Sequence, residues 1–301
     1  MKPGPFRYLS PDSLDEAVAM LREHPDAKVL AGGQSLIPVL SMRLARPSHL
    51  VDLAGIPGLD RVEVREDCVR VGALVRHAQL LADDEAHAAL PLLRQALSNV
   101  AHPAIRNRGT TVGSIAHADA AGEMPSILVV TDGVVEVVGP NGRREIAGTD
   151  FFAGALETAL EHDEIVEAVR FGRFPARTRT AFLESARRHG DYALAGVAAV
   201  LTLDENDRVA SARASFVSVT DVPGVVELTD VLAGADPASA NWSVIDEPVQ
   251  AALAPESDIH ADAEYRRMLA GELARRAFAT ATAAADGTAG TTGTTTGATH
   301  G

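Results

Sequence analysis

The sequence predicts an α+β protein: two α/β subdomains, then a domain with a three-stranded antiparallel sheet and helices. Three observations carry this expectation. A strand, a glycine turn, a helix and a second strand follow one another between Lys28 and Leu53. Two hairpin patterns come next, around Arg65-Glu66-Asp67 and Asn141-Gly142, the second being a strong short-range hairpin signal. Three strand-like runs then precede a closing helical stripe. At 301 residues the chain is long enough for two or three subdomains with cores of their own.

Ser13-Leu14-Asp15-Glu16 is a capping box, and Leu14, Ala17, Val18 and Leu21 share one stripe, which predicts a helix over about 13–23. Lys28 to Ala31 reads as a short buried strand running into Gly32-Gly33-Gln34-Ser35-Leu36. Leu36, Ile37, Leu40 and Leu44 form a helix-like stripe after it, and Leu50 to Leu53 a second strand. Val62 to Val64 and Val69 to Val71 alternate as a hairpin. Helical runs follow at about 77–83 and 91–100, then an apolar run, Ile127 to Val130. Val134 to Val138 and Arg143 to Ile146 flank Asn141-Gly142. A helix near 151–159 and a strand from Ile165 to Phe171 complete the middle of the chain. Arg173 to Arg177 reads as a linker. Beyond it lie the strand-like runs Thr180 to Arg187, Val197 to Leu203 and Val209 to Val219, and a helix from Tyr265 to about Thr282. From Asp286 the chain is Gly, Thr and Ala without pattern, a composition expected to be disordered. The expected boundaries are 1–57, 58–175, 176–285 and a tail at 286–301.

Composition narrows the function classes. A formal charge of −14 speaks against nucleic-acid or anionic-membrane partners. With Cys68 alone, the chain has no internal disulfide and no Cys-based zinc or iron–sulfur site. Cys68 itself, in a strand-like run, reads as a packed small hydrophobe. No apolar signal region follows the N-terminus, and the longest apolar stretch, Ala193 to Leu201, is too short to span a bilayer; the expected location is the cytoplasm.

Arg106 to Pro125 is unusually dense in small residues, hydroxyls and glycines. Such backbone either lies against a ligand or crosses tightly inside a core. The earlier turn, Ala31 to Leu36, lacks the three-glycine Rossmann spacing and its acidic partner. Its amides nonetheless fall where a helix begins, a natural place for phosphate oxygens. Two such stretches about eighty residues apart favour a two-sided clamp on a dinucleotide.

Ala31-Gly32-Gly33-Gln34-Ser35-Leu36 and the stretch from Ile105 to Pro125 resemble the two FAD-binding motifs of the flavoprotein (medium) subunit of molybdenum hydroxylases. This is the family of carbon monoxide dehydrogenase, xanthine dehydrogenase and aldehyde oxidoreductase. Phe182 to Ala198 resembles its C-terminal-domain signature, and Tyr265 to Arg276 its closing helix. The resemblance implies a vanillyl-alcohol-oxidase-type FAD domain of two subdomains. It places pyrophosphate on the backbone of Ala31, Gly32, Gly33, Gln34, Ser35 and Leu36. It sets Thr110, Thr111, Gly113, Ser114, His117, Asp119 and Glu123 around the cofactor, and Arg187, Asp191 and Tyr192 near the flavin and the subunit contacts. For Tyr192 a half-buried strand tyrosine is an equal alternative. Two departures stand out. Val112 occupies a position where the family motif has glycine, and a β-branched residue resists positive φ and close approach. Ala120 replaces a proline.

The resemblance further implies an electron-transfer subunit, with a molybdopterin-binding large subunit and an iron–sulfur small subunit as partners. The external acceptor would be NAD, a quinone or dioxygen, and the assembly allows a homodimeric arrangement. A stand-alone flavin-dependent oxidoreductase or monooxygenase is the alternative, motivated by Val112 and Ala120. His102, His117 and His189 are available, but no catalytic acid or base, and no metal ligand, is assigned.

Overall fold

The computed structural model describes residues 2–283, so the expected low-complexity tail lies outside the described residues. The helix Leu14–Glu23 forms as the capping box predicts. Ser13 Oγ accepts from the Glu16 amide at 3.2 Å, while Glu16 reaches back to the Asp12 amide at 2.8 Å, and the stripe Leu14, Ala17, Val18 and Leu21 is buried. It belongs to a three-stranded parallel sheet ordered Arg7–Leu9, His49–Asp52, Lys28–Leu30. Parallel strands need crossovers, which the helices Leu14–Glu23 and Leu36–Ser41 supply. The glycine turn therefore leaves the carboxyl end of an edge strand, a usual ligand position in such sheets.

A five-stranded antiparallel sheet follows, ordered Val62–Val64, Cys68–Gly72, Ile165–Gly172, Val134–Gly139, Gly142–Ala147. The expected hairpins are its two edges, and Gly142, at φ +100, supplies the positive φ of the second turn. Cys68 is buried, and that burial pushes its thiol pKa up. Helix Glu123–Val130 is buried along its whole length, so its periodicity is masked in the sequence.

Two expectations are corrected. The helix near 151–159 is a single turn, Gly148–Phe151, followed by a two-stranded hairpin of Phe152–Gly154 and Glu157–Thr158. Phe151 and Phe152 are both buried, with rings edge-to-face at 5.2 Å, and the chain turns from helical to extended between them to achieve this. The C-terminal sheet has four strands, ordered Thr178–Ala186, Ala193–Leu203, Val209–Val217, Val225–Glu227. The fourth, three residues behind Pro223-Gly224, is too short to show a period. Helix Ala263–Ala283 covers this sheet through Ala270, Ala274, Ala277 and Phe278.

Candidate functional site

The two small-residue stretches meet. Gly32 lies directly on the start of the second: a Cβ there would stand 2.4 Å from the Arg108 carbonyl oxygen, 2.7 Å from Gly109 Cα and 2.9 Å from the Thr110 nitrogen. A Cβ on Gly109 would stand 3.5 Å from Gln34 Cγ, and the Gln34 side-chain amide donates to the Gly32 carbonyl at 3.1 Å. The absence of side chains at Gly32 and Gly109 is thus what lets the loops close on each other.

Gly33 adopts φ +72, which turns successive amides toward one side. Among the described residues, none of the amides of Gly32, Gly33, Gln34, Ser35 and Leu36 finds a hydrogen-bond acceptor. All five residues are half-buried. Sheltered amides without acceptors are costly unless a ligand or solvent accepts from them, so the cradle suits anionic phosphate oxygens.

The second wall is built differently from the sequence reading. Thr110 caps the helix Thr111–His117 by accepting from the Gly113 amide at 3.1 Å, a cap worth about 1 kcal/mol. A Cβ on Gly113 would come within 2.5 Å of that hydroxyl. The Thr111 and Ser114 amides donate to the carbonyls of Val75 and Thr110, so this motif leaves fewer amides free than the first. Thr110 and Thr111 are both buried, and Thr111 Oγ1 lies 3.2 Å from His77 Nδ1. The Thr110 hydroxyl thus caps the helix and the Thr111 hydroxyl lies against the His77 ring. Val112 is 2% exposed, helical and part of the hydrophobic core, so it neither needs positive φ nor crowds the clamp.

Ser114, half-buried, has no hydrogen-bond partner for its hydroxyl among the described residues. His117 ends the helix, and Ala118, at φ 54, turns the chain into the loop 118–122. Four bonds hold this loop beyond its helix: Leu156 N donates to Ala118 O at 3.0 Å, Ser218 N to Ala120 O at 2.9 Å, Ala121 N to Asp119 Oδ1 at 2.9 Å and Gly122 N to Asp119 O at 2.9 Å. These bonds fix the loop that proline stiffens elsewhere in the family pattern. Glu123 follows, 9% exposed, its pKa driven to about 7 by burial, with Asp119 adding repulsion.

Arg187, Asp191 and Tyr192 lie exposed on the loop between the first two strands of the C-terminal sheet. That loop rests on the second motif's approach, since a Cβ on Gly190 would meet the His102 ring at 2.5 Å. Tyr192 is 68% exposed and precedes its strand, so it is not a half-buried strand tyrosine. Partial desolvation, then the charges of Asp119 and Glu123, raise its phenol pKa. No hydrogen bond or ion pair among the described residues ties Arg187 or the Asp191 carboxylate to the two motifs.

His77 escaped the sequence reading because nothing local marks it. Its amide donates to Gly109 O at 3.0 Å and its ring backs Thr111. Burial, with Arg106 nearby, lowers its pKa from 6.5 to about 4. The unfolded chain therefore takes up a proton that the folded chain refuses. The His77 contribution to stability is complete above pH 6.5 and is lost progressively as the pH falls toward about 4. At about 1.4 kcal/mol per pH unit the limit is about 3 kcal/mol. Urea unfolding of wild type and His77→Leu between pH 7.5 and 4.5 should show a steeper acid loss in wild type; parallel curves would refute it.

Among the described residues no group of three or more His, Cys, Asp or Glu is placed to hold a metal ion. No helix among them is long and apolar enough to cross a membrane.

Residues 4–173 match the family model described as the FAD binding domain in molybdopterin dehydrogenase, and residues 180–281 that of the CO dehydrogenase flavoprotein C-terminal domain. The nicotine 6-hydroxylase medium subunit of Paenarthrobacter nicotinovorans is 42% identical, over 94% of this chain and 99% of the relative. The carbon monoxide dehydrogenase medium chain of Hydrogenophaga pseudoflava is 34% identical, with 94% and 99% covered. Among solved structures, the H. pseudoflava carbon monoxide dehydrogenase lacking the Mo-pyranopterin moiety superposes with a TM-score of 0.89, at 34% identity over 94% of this chain and 99% of that one. Quinoline 2-oxidoreductase from Pseudomonas putida 86 gives 0.88, at 36% identity over 95% and 99%. A clamp of free amides closed by a second small-residue wall, carried on this fold and matched along nearly the whole chain, places the protein in the family of FAD-binding oxidoreductase flavoproteins of molybdopterin dehydrogenases.

Proposed function

We propose that this chain is the electron-transfer subunit of a molybdenum hydroxylase complex. It receives electrons from an iron–sulfur small subunit, itself fed by a molybdopterin-binding large subunit, and passes them to an external acceptor. The observation that supports this most is the run of five acceptor-less amides, Gly32 to Leu36, closed by the contact of Gly32 with residues 108–110. Bound there, FAD would supply redox chemistry that couples one-electron and two-electron partners.

The chain's own work is binding and orientation. Gly32, Gly33, Gln34, Ser35 and Leu36 would hold the pyrophosphate, with Ala31 setting the turn. Thr110, Thr111, Gly113, Ser114, His117, Asp119 and Glu123 would form the second wall, and Arg187, Asp191 and Tyr192 its rim. The subdomains are those of a vanillyl-alcohol-oxidase-type FAD domain, 1–57 and 58–175, with 176–285 as the C-terminal domain. Burial of Val112 in the core supports this reading over a stand-alone flavoenzyme, which Val112 and Ala120 had motivated.

Expressed alone, the full chain should carry or take up FAD, with absorbance bands near roughly 370 and 450 nm. Co-expressed with an iron–sulfur and a molybdopterin subunit of this family, it should co-purify, and substrate should bleach the flavin band. No uptake would overturn the cofactor site; uptake without bleaching in the assembled complex would overturn the electron-transfer role.

A further inference from the structure

Where the two family domains meet, acidic groups gather without a cation. Glu123, at the start of helix Glu123–Val130, and Asp119 come from the first domain; Glu184, on strand Thr178–Ala186, and Tyr192 come from the second. No Lys or Arg among the described residues forms an ion pair with any of the three carboxyls. Glu184 Oε2 is sealed from solvent and has no hydrogen-bond partner, and the buried Glu123 carboxyl has no side-chain partner either. On its outer side Glu184 lines a cavity of about 290 Å³ with Asn99, Ser185, Arg188 and His189.

A carboxylate with one oxygen sealed and unpartnered, in the field of a second carboxyl, is costly, and the ordinary remedy is to keep a proton. We propose that Glu184 is a positioning residue of the FAD site that holds a proton at neutral pH, keeping the wall formed by Glu123 from accumulating charge and linking cofactor retention to pH. This rests on the FAD site proposed above. Burial, with Glu123 adding repulsion, puts the Glu184 pKa at about 8, so ionisation begins just above physiological pH. Ionisation adds a negative charge to the surroundings of Glu123, which already feels Asp119; Arg188 and His189, on the open side of the cavity, are too solvated to cancel it.

The sign follows from the raised pKa. Stability and affinity owed to the proton are present at low pH and are lost as the pH rises through about 8. Full linkage to one proton gives about tenfold weaker binding per pH unit beyond that point. The test is the FAD dissociation constant of the full chain from pH 6 to 10, read by flavin fluorescence, with thermal midpoints at each pH. Wild type should lose affinity steeply above about pH 8. Glu184→Gln, isosteric and always neutral, should flatten that loss and raise the thermal midpoint selectively at high pH. Glu123→Gln should move the wild-type break to lower pH, because without the Glu123 charge Glu184 gives up its proton sooner. A Glu184→Gln profile that superimposes on wild type, or one displaced equally at every pH, would overturn the proposal. Absence of FAD binding by wild type at all pH values would instead overturn the cofactor site on which it rests.

Discussion

Gly32→Ala should strip most of the flavin from the protein. The added methyl would lie 2.4, 2.7 and 2.9 Å from the Arg108 carbonyl oxygen, Gly109 Cα and the Thr110 nitrogen, all backbone atoms. A flexible side chain could swing away; these atoms move only if a whole wall moves. Overpacking of this kind costs about 1–3 kcal/mol, and with three backbone contacts the upper part of that range applies. The walls separate by moving the helix Thr111–His117 away from the free amides, so cofactor affinity falls at least about tenfold along with stability. Gly33→Ala is the informative comparison. Its cost is the left-handed φ of +72, about 1–2 kcal/mol, and its nearest obstacles are the flexible ends of Leu30 and Ile37 at 3.2 and 3.3 Å. Flavin-to-protein ratio after gel filtration should therefore fall further in Gly32→Ala than in Gly33→Ala. The reverse order would show that the turn's φ, and not its contact with residues 108–110, closes the clamp.

Val112→Gly should destabilise the fold and fail to tighten cofactor binding. Restoring the family's glycine looks like a repair from the sequence, because valine resists both positive φ and close approach. In the structure Val112 lies inside the helix Thr111–His117 with its side chain in the core. Deleting it leaves a cavity and places a second glycine beside Gly113 near the helix start. Together these cost about 2–4 kcal/mol. Denaturant midpoints should fall accordingly, while the FAD dissociation constant of the folded fraction stays unchanged or weakens. A tighter constant would show that the valine does press on the cofactor.

The sequence pattern located both walls because their signal is local. Consecutive small residues after a strand, and hydroxyls with glycines before a helix, are visible without knowing what they touch. It did not show that the Thr110 hydroxyl caps a helix and that the Thr111 hydroxyl backs onto His77, since composition carries no record of such partners. The predicted helix near 151–159 failed for a related reason. Adjacent phenylalanines fit a helix pattern, whereas burying both against one core requires the chain to change conformation between them. The strand Val225–Glu227 was invisible because three residues hold too little period, and only pairing with Val209–Val217 creates it.

By itself, then, the sequence determined which segments lack side chains, where helices are capped, and that one cysteine cannot build a cluster; each follows from neighbours a few residues apart. Only the tertiary structure decided that Gly32 meets residues 108–110, that Val112 turns inward, and that Glu123 is buried while one Glu184 carboxyl oxygen is sealed without a partner. The physical reason is that close approach and desolvation depend on atoms brought together from distant parts of the chain. A pattern read along the backbone registers the residues that permit such contacts, and the fold determines which of them are made.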